Sequence, residues 1–405
     1  MSDSRFASIA VLLVDDDDYQ RQLLSKMLRV IGVAEIHQAA SAAAALEIAA
    51  TLSARLDVVI SDLDMPDVDG MEFLRLLAEQ KLDAAVLIVS GKHESILRSV
   101  EVMAKEYGLP MLGTVAKPAT VTALGDKLSA FLQRPRAKTH GGMAMMSKEE
   151  VLQGLERGQF EPFFQPKVDL ESGRIIGAEA LARWRHPVRG ILPPGTFIGV
   201  AEQHGLIDRL TWALLERCAV QVRRWCDAGL ELKVSINFSQ VSLADTQISN
   251  QVIETLSRHA VSPERFIIEV TETMAMTDVA RTLESLSRLR MNGFGLSIDD
   301  FGTGHSSLQQ LSRVPYTELK IDQAFVTGAA TQPHLRAVLE SSADIAKKLG
   351  LACVGEGVET RDDWNCLQQA GCQIGQGYYI AKPMDAERFS IWVPDWEARN
   401  KMFSS

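Results

Sequence analysis

Short apolar runs that stop at an acidic residue recur along this chain, and stretches with helical spacing separate them. Ile9–Val14 stops at Asp15 and Asp16, and Val58–Ile60 stops just before Asp62. Val86–Ser90 and Leu112–Val115 follow, the second shortly before Lys117. Helical patterns fill the gaps at Asp17–Ile31, Ser41–Thr51, Met71–Gln80, Ile96–Tyr107 and Val121–Gln133. Such alternation predicts parallel strands with helices on both faces. The expected fold class is α/β, and residues 8–133 are expected to form a doubly wound five-stranded parallel sheet. In such sheets the active groups lie at the carboxyl ends of the strands.

Residues 134–146 break the pattern, with Pro135, Gly141 and Gly142 and no apolar period, and read as a linker. From Ser147 to about residue 395 strands and helices alternate again. The strand candidates are Ile175–Arg183, Val234–Phe238, Phe266–Val270, Gly295–Ile298, Glu318–Ile321, Ala352–Val354 and Gly377–Ile380. Seven or eight such units in this length predict a single (β/α)8 TIM-like barrel.

Bulk properties exclude several function classes. The formal net charge is -10, which argues against a basic nucleic-acid face. No apolar run reaches the roughly 18–20 residues of a membrane span, and Met1–Ala7 has no signal-peptide core. The expected location is cytoplasmic. Cys218, Cys226, Cys353, Cys366 and Cys372 show no metal spacing and read as reduced thiols.

In the first unit Asp15, Asp16 and Asp62 converge at the strand ends with Ser90 and Lys117. Crowded carboxylates bind a hard cation such as Mg²⁺. A carboxylate beside that ion can attack a phosphoryl donor. The runs Val11–Asp17, Ser61–Gly70, Leu87–Ser90 and Ala116–Pro118 resemble the response-regulator receiver family, whose sheet is flavodoxin-like. The resemblance implies Asp62 as phosphoacceptor, Asp15 and Asp16 as ligands of one Mg²⁺, and Ser90 and Lys117 as switch residues. It also implies a sensor histidine kinase or phosphotransfer protein as partner. Thr114 departs from the pattern, which often carries an aromatic residue there.

In the second unit the strand ends carry Glu179, Asn237, Glu269, the pair Asp299 and Asp300, Lys320 and Glu356. Side chains at the carboxyl ends of barrel strands share one mouth. So many oxygen donors suit Mg²⁺ or Mn²⁺ and not zinc. Adjacent Asp299 and Asp300 suit two ions about 3.5–4 Å apart, which would make hydroxide from water and stabilise its in-line attack on a phosphodiester. Lys320 could hold the water or offset charge on phosphorus. Glu356 could be a general base or a metal ligand, and the sequence leaves both open. Arg183 is placed to grip a phosphate oxygen.

These motifs resemble the EAL-domain family, which hydrolyses the bacterial second messenger cyclic di-GMP to the linear pGpG. The resemblance also covers Phe164-Gln165-Pro166, Trp184, Pro193-Pro194 and Gln376-Gly377-Tyr378. It implies metal ligation by Glu179, Asn237, Glu269, Asp299 and Asp300, and catalytic roles for Lys320 and Glu356. It further implies substrate contacts from Arg183, Gln376 and Gln165. Residues 300–307 would be a loop that couples metal binding to a homo-dimer or higher homo-oligomer, anchored by Glu272. Ala182, Gly355 and His305 depart from the common pattern, and none is a proposed ligand.

Two other readings fit the sequence less well. An inactive cyclic di-GMP sensor would lack a ligand, and no ligand is missing here. A DNA-binding regulator would need a basic helix-turn-helix, against which the acidic charge and the barrel pattern both speak.

Overall fold

The computed structural model describes residues 6–52, 55–66, 68–80, 82, 84–133, 146–271, 279–303 and 311–401. The chain divides into two compact units, 1–140 and 141–405.

In the first unit β1 (Ala10–Val14), β2 (Glu35–Ala39), β3 (Val58–Ser61), β4 (Ala85–Ser90) and β5 (Met111–Ala116) form one sheet in the order β2-β1-β3-β4-β5. Every neighbouring pair is parallel. Successive side chains of a strand point to opposite faces, so β1 feeds two cores. Leu12 and Val14 join Phe73 and Leu74 in one, and Val11 and Leu13 join Leu24, Leu28 and Leu124 in the other. Burial on both faces explains why these strands read as unbroken apolar runs. The exception is β2, Glu-Ile-His-Gln-Ala, a half-buried edge strand with no apolar run to announce it. Strand order reverses beside β1, whose Val14 lies opposite Ser61 of β3. Asp15 and Asp62, the next residues, therefore emerge side by side.

The second unit is a closed barrel. Its strands are β6 (Phe160–Asp169), β7 (Ile175–His186), β9 (Lys233–Asn237), β10 (Phe266–Thr271), β11 (Gly295–Phe301), β12 (Glu318–Ile321), β13 (Ala352–Gly355) and β14 (Ile374–Gly375). A short β8 (Gly190–Leu192) pairs with β7 outside the ring. From β7 to β14 the ring is parallel, but β6 runs antiparallel to both neighbours and closes it.

Two features differ from the sequence reading. The reversed strand β6 was not anticipated, because Pro162 and Pro166 argue against a central strand. The last strand is Ile374–Gly375 and not Gly377–Ile380, whose aromatic residues lie in turns. The outer face of β6 anchors the helical layer. Phe160 packs on Trp184 and Phe197 with ring centroids 4.8 and 5.1 Å away. Phe164 meets Trp225 edge-on at 4.8 Å. Among the described residues no helix is long and apolar enough to cross a membrane.

Candidate active site

The polar counterparts of those aromatics point into the barrel. Glu179 on β7, Glu269 on β10, Asp299 on β11 and Glu356 just past β13 converge on the ammonium of Lys320 from β12. The distances from its Nζ are 3.4 Å to Glu179 Oε2, 3.0 Å to Glu269 Oε2, 2.9 Å to Asp299 Oδ1 and 2.8 Å to Glu356 Oε1. Four carboxylates from four strands thus share one point. Asn237 donates its amide to Glu179 Oε1 at 3.1 Å. Gln376 donates to Glu179 Oε2 at 2.7 Å and to Gln165 Oε1 at 3.1 Å, and its own buried Oε1 has no partner among the described residues.

Asp299 and Asp300 are neighbours in sequence, so a regular strand would send them to opposite faces. The β11–β12 register shifts between Ile298 and Phe301, which marks a bulge. Asp300 there adopts φ 56°, the left-handed region that Asp tolerates better than most residues. Both aspartates consequently line the same cavity of 340 Å³, with Gln165, Glu179, Lys320 and Glu356. Asp299, Asp300 and Glu356 can each bring an oxygen within 4.8 Å of the others.

The electrostatics follow from this crowding. Burial raises the Glu356 carboxyl to about 8, with Lys320 opposing and Asp299 and Glu179 reinforcing. Asp300 rises to about 6 through burial, then Asp299, then Asp322. Burial also opposes ionisation of Glu269, yet Lys167 and Lys320 outweigh it and hold this carboxyl down at about 2. Burial is the first cause of both rises, and Lys320 only partly offsets it. An all-oxygen set short of positive charge fits a hard divalent ion.

In the first unit Lys117 Nζ bridges Asp15 Oδ2 at 3.0 Å and Asp62 Oδ2 at 2.7 Å. Asp15, Asp16 and Asp62 can present oxygens within 4.8 Å of one another. Asp15 and Asp62 are buried and Asp16 is exposed. The proton affinity of Asp15 is raised by burial, and Lys117 opposes the rise. Ser90 closes β4, and its carbonyl accepts from the Lys117 backbone N–H at 3.0 Å.

Residues 148–383 match the family described as EAL domain, and residues 11–129 match the response regulator receiver domain. The chain belongs to the receiver–EAL family. It is 34% identical over 388 residues to the cyclic di-GMP phosphodiesterase RocR of Pseudomonas aeruginosa, covering 94% of this chain and 97% of that one. The solved structure of PaMucR phosphodiesterase with c-di-GMP is 39% identical, with a TM-score of 0.56, over 60% of this chain and 98% of that one. An EAL domain protein from Listeria monocytogenes is 26% identical, with a TM-score of 0.54, over 60% and 96%.

Of the expected EAL residues, Glu179, Asn237, Glu269, Asp299, Asp300, Lys320, Glu356, Gln376 and Gln165 are brought together. Arg183 lies beside this group, where Tyr378 and Glu179 act on its charge. Its guanidinium donates to the Ala182 carbonyl at 2.8 Å and lies 5.8 Å from the Phe163 ring centroid. Glu272 and residues 304–307 of the expected loop lie outside the described residues. Glu359, expected as a supporting or structural acid, lines the EAL cavity, and so do Asp322 and Tyr378, to which the sequence reading gave no role there. The signal for Asp322 and Tyr378 was adjacency, since both fall two residues after an assigned one.

Proposed function

We propose that this protein is a response regulator whose EAL barrel hydrolyses cyclic di-GMP to 5′-pGpG with two Mg²⁺ or Mn²⁺ ions, under control of phosphorylation at Asp62. The convergence of four carboxylate oxygens from separate strands on one point carries this reading. As an enzyme it is a cyclic-guanylate-specific phosphodiesterase, in keeping with its similarity to RocR and PaMucR. The units are a receiver over residues 8–133, a linker over 134–146 and the EAL domain over 147–395.

Glu179, Asn237, Glu269, Asp299 and Asp300 would hold the ions, Asn237 through its carbonyl oxygen. The bound ions would supply the positive charge that activates water and offsets charge on the phosphodiester. Lys320 contributes a fixed positive charge at the reacting phosphorus. Glu356 would act as general base toward the attacking water or as a further ligand of the ions. Gln376 lines the same cavity and, with Gln165, would contact the substrate. In the receiver, Asp15 and Asp16 would hold one Mg²⁺ while Ser90 and Lys117 contact the phosphoryl oxygens. The phosphate donor would be a sensor histidine kinase or a phosphotransfer protein. A homo-dimer or higher homo-oligomer in the cytoplasm is the proposed working form, without DNA as a partner.

The test is incubation of purified protein with cyclic di-GMP and Mg²⁺, with and without acetyl phosphate, followed by product chromatography. Linear product supports hydrolysis, whereas tight binding without product would replace this reading with a sensor. Control by the receiver predicts that Asp62→Ala abolishes the response to acetyl phosphate. An unchanged response in that variant would refute it.

A further inference from the structure

Beneath the site the barrel interior is polar where a packed apolar layer is the usual arrangement. Strand periodicity places Ser235, Ser297 and Glu318 two residues before Asn237, Asp299 and Lys320, one layer deeper. Because β6 runs the other way, its deeper residue comes after Gln165 and is Lys167. The Nζ of Lys167 lies 2.7 Å from Ser235 Oγ, 2.8 Å from Glu269 Oε1 and 2.8 Å from Glu318 Oε1. Ser297 Oγ donates to the same Glu318 oxygen at 3.0 Å. Lys167 is 2% exposed, Glu269 and Ser297 0%, Ser235 1% and Glu318 4%.

Glu269 joins the two layers. Its Oε1 faces Lys167 and its Oε2 faces Lys320, so each oxygen has its own ammonium. We propose that Lys167 is a positioning residue for the metal centre: it ties down one oxygen of Glu269 from below and presents the other, singly, to the ions above. Glu318, Ser235 and Ser297 in turn hold the Lys167 ammonium in place. The inference rests on Glu269 being a metal ligand. Groups that orient a ligand from behind are worth roughly 10–100-fold in metal affinity.

The test uses the full chain stripped of metal, with Mn²⁺ binding followed by electron paramagnetic resonance in the absence of substrate. Lys167→Met is compared with Lys167→Met/Glu318→Leu, which removes both buried charges together and leaves neither unpaired. Melting temperature is measured for each variant. The expected result is Mn²⁺ affinity roughly 10–100-fold weaker in both variants, with the double variant melting close to the parent. At saturating Mn²⁺ the KM for cyclic di-GMP stays within about twofold, because Lys167 touches no part of the cavity described for substrate. Recovery of parental Mn²⁺ affinity in the double variant would show that Lys167 only neutralises Glu318, and would overturn the proposal. Affinity within about twofold of the parent in both variants would overturn it as well. Glu269→Gln separates the two levels. If that change weakens Mn²⁺ binding while the Lys167 variants do not, only the positioning role falls. If Glu269→Gln has no effect on Mn²⁺, the metal assignment falls with it.

Discussion

Replacing Glu356 by Gln in metal-free protein is expected to remove a large pH dependence of barrel stability. The Glu356 carboxyl is held at about 8 against an ordinary 4.5, chiefly by burial. An unfolded chain releases this proton near 4.5, and the folded barrel keeps it until about 8. The stabilising contribution is therefore complete below pH 4.5 and declines as pH rises through 8. Each unit of difference is worth about 1.4 kcal/mol, so 8 minus 4.5 gives about 5 kcal/mol in full. The side chain is 18% exposed, and solvent screening brings the expectation to about 3–5 kcal/mol. Urea unfolding in chelator at pH 5, 6.5 and 8.5 measures it. The advantage of Glu356→Gln over the parent should grow across that series by this amount. Mg²⁺ should act in the opposite sense, stabilising the parent more at pH 8.5 than at pH 6.5, because ligands bind metal deprotonated. An advantage constant within about 1 kcal/mol across the series would refute the reading of Glu356 as a buried carboxyl that holds its proton in the folded barrel.

Other substitutions probe the site from different sides. Glu179→Ala should abolish hydrolysis and weaken Mg²⁺ binding while circular dichroism reports an intact fold, since it removes the acceptor shared by Lys320, Asn237 and Gln376. Gly355→Ala should lower stability by about 1–3 kcal/mol through overpacking, because a new Cβ would lie 2.3 Å from Leu367 Cδ2 in the core. Thermal melting reads that loss directly. Asp300→Gly should eliminate turnover yet melt no lower than the parent, whereas Asp300→Ala should be less stable than Asp300→Gly by about 1–2 kcal/mol. Equal melting of the Ala and Gly variants would argue against the left-handed backbone at this residue.

How much of this was visible in the sequence depends on the kind of constraint. Acids at strand ends were legible because chemistry demands specific residue types there, and apolar runs before them mark the strands. Asp62, Asp299 and Glu356 were all found this way. Strand β2 escaped because an edge strand has one face half in solvent and needs no apolar run. Strand β6 escaped because two prolines suppress a strand reading, although a strand that closes a ring against antiparallel neighbours tolerates them here. Arg183 was read from its chemistry alone, and its charge lies beside the Phe163 ring and within the field of Glu179. The Lys167 pairs with Glu269 and Glu318 span 102 and 151 residues, and no local pattern announces contacts at that range.

The left-handed turn at Asp300 has a bearing on how a barrel of this kind loses its chemistry. A change to glycine at that one position relaxes the backbone and discards a carboxylate in the same stroke. With Asp300 as the metal ligand proposed above, loss of turnover and consolidation of the fold would point the same way. The return is uphill, because restoring the acid reinstates both the conformational penalty and the repulsion from Asp299.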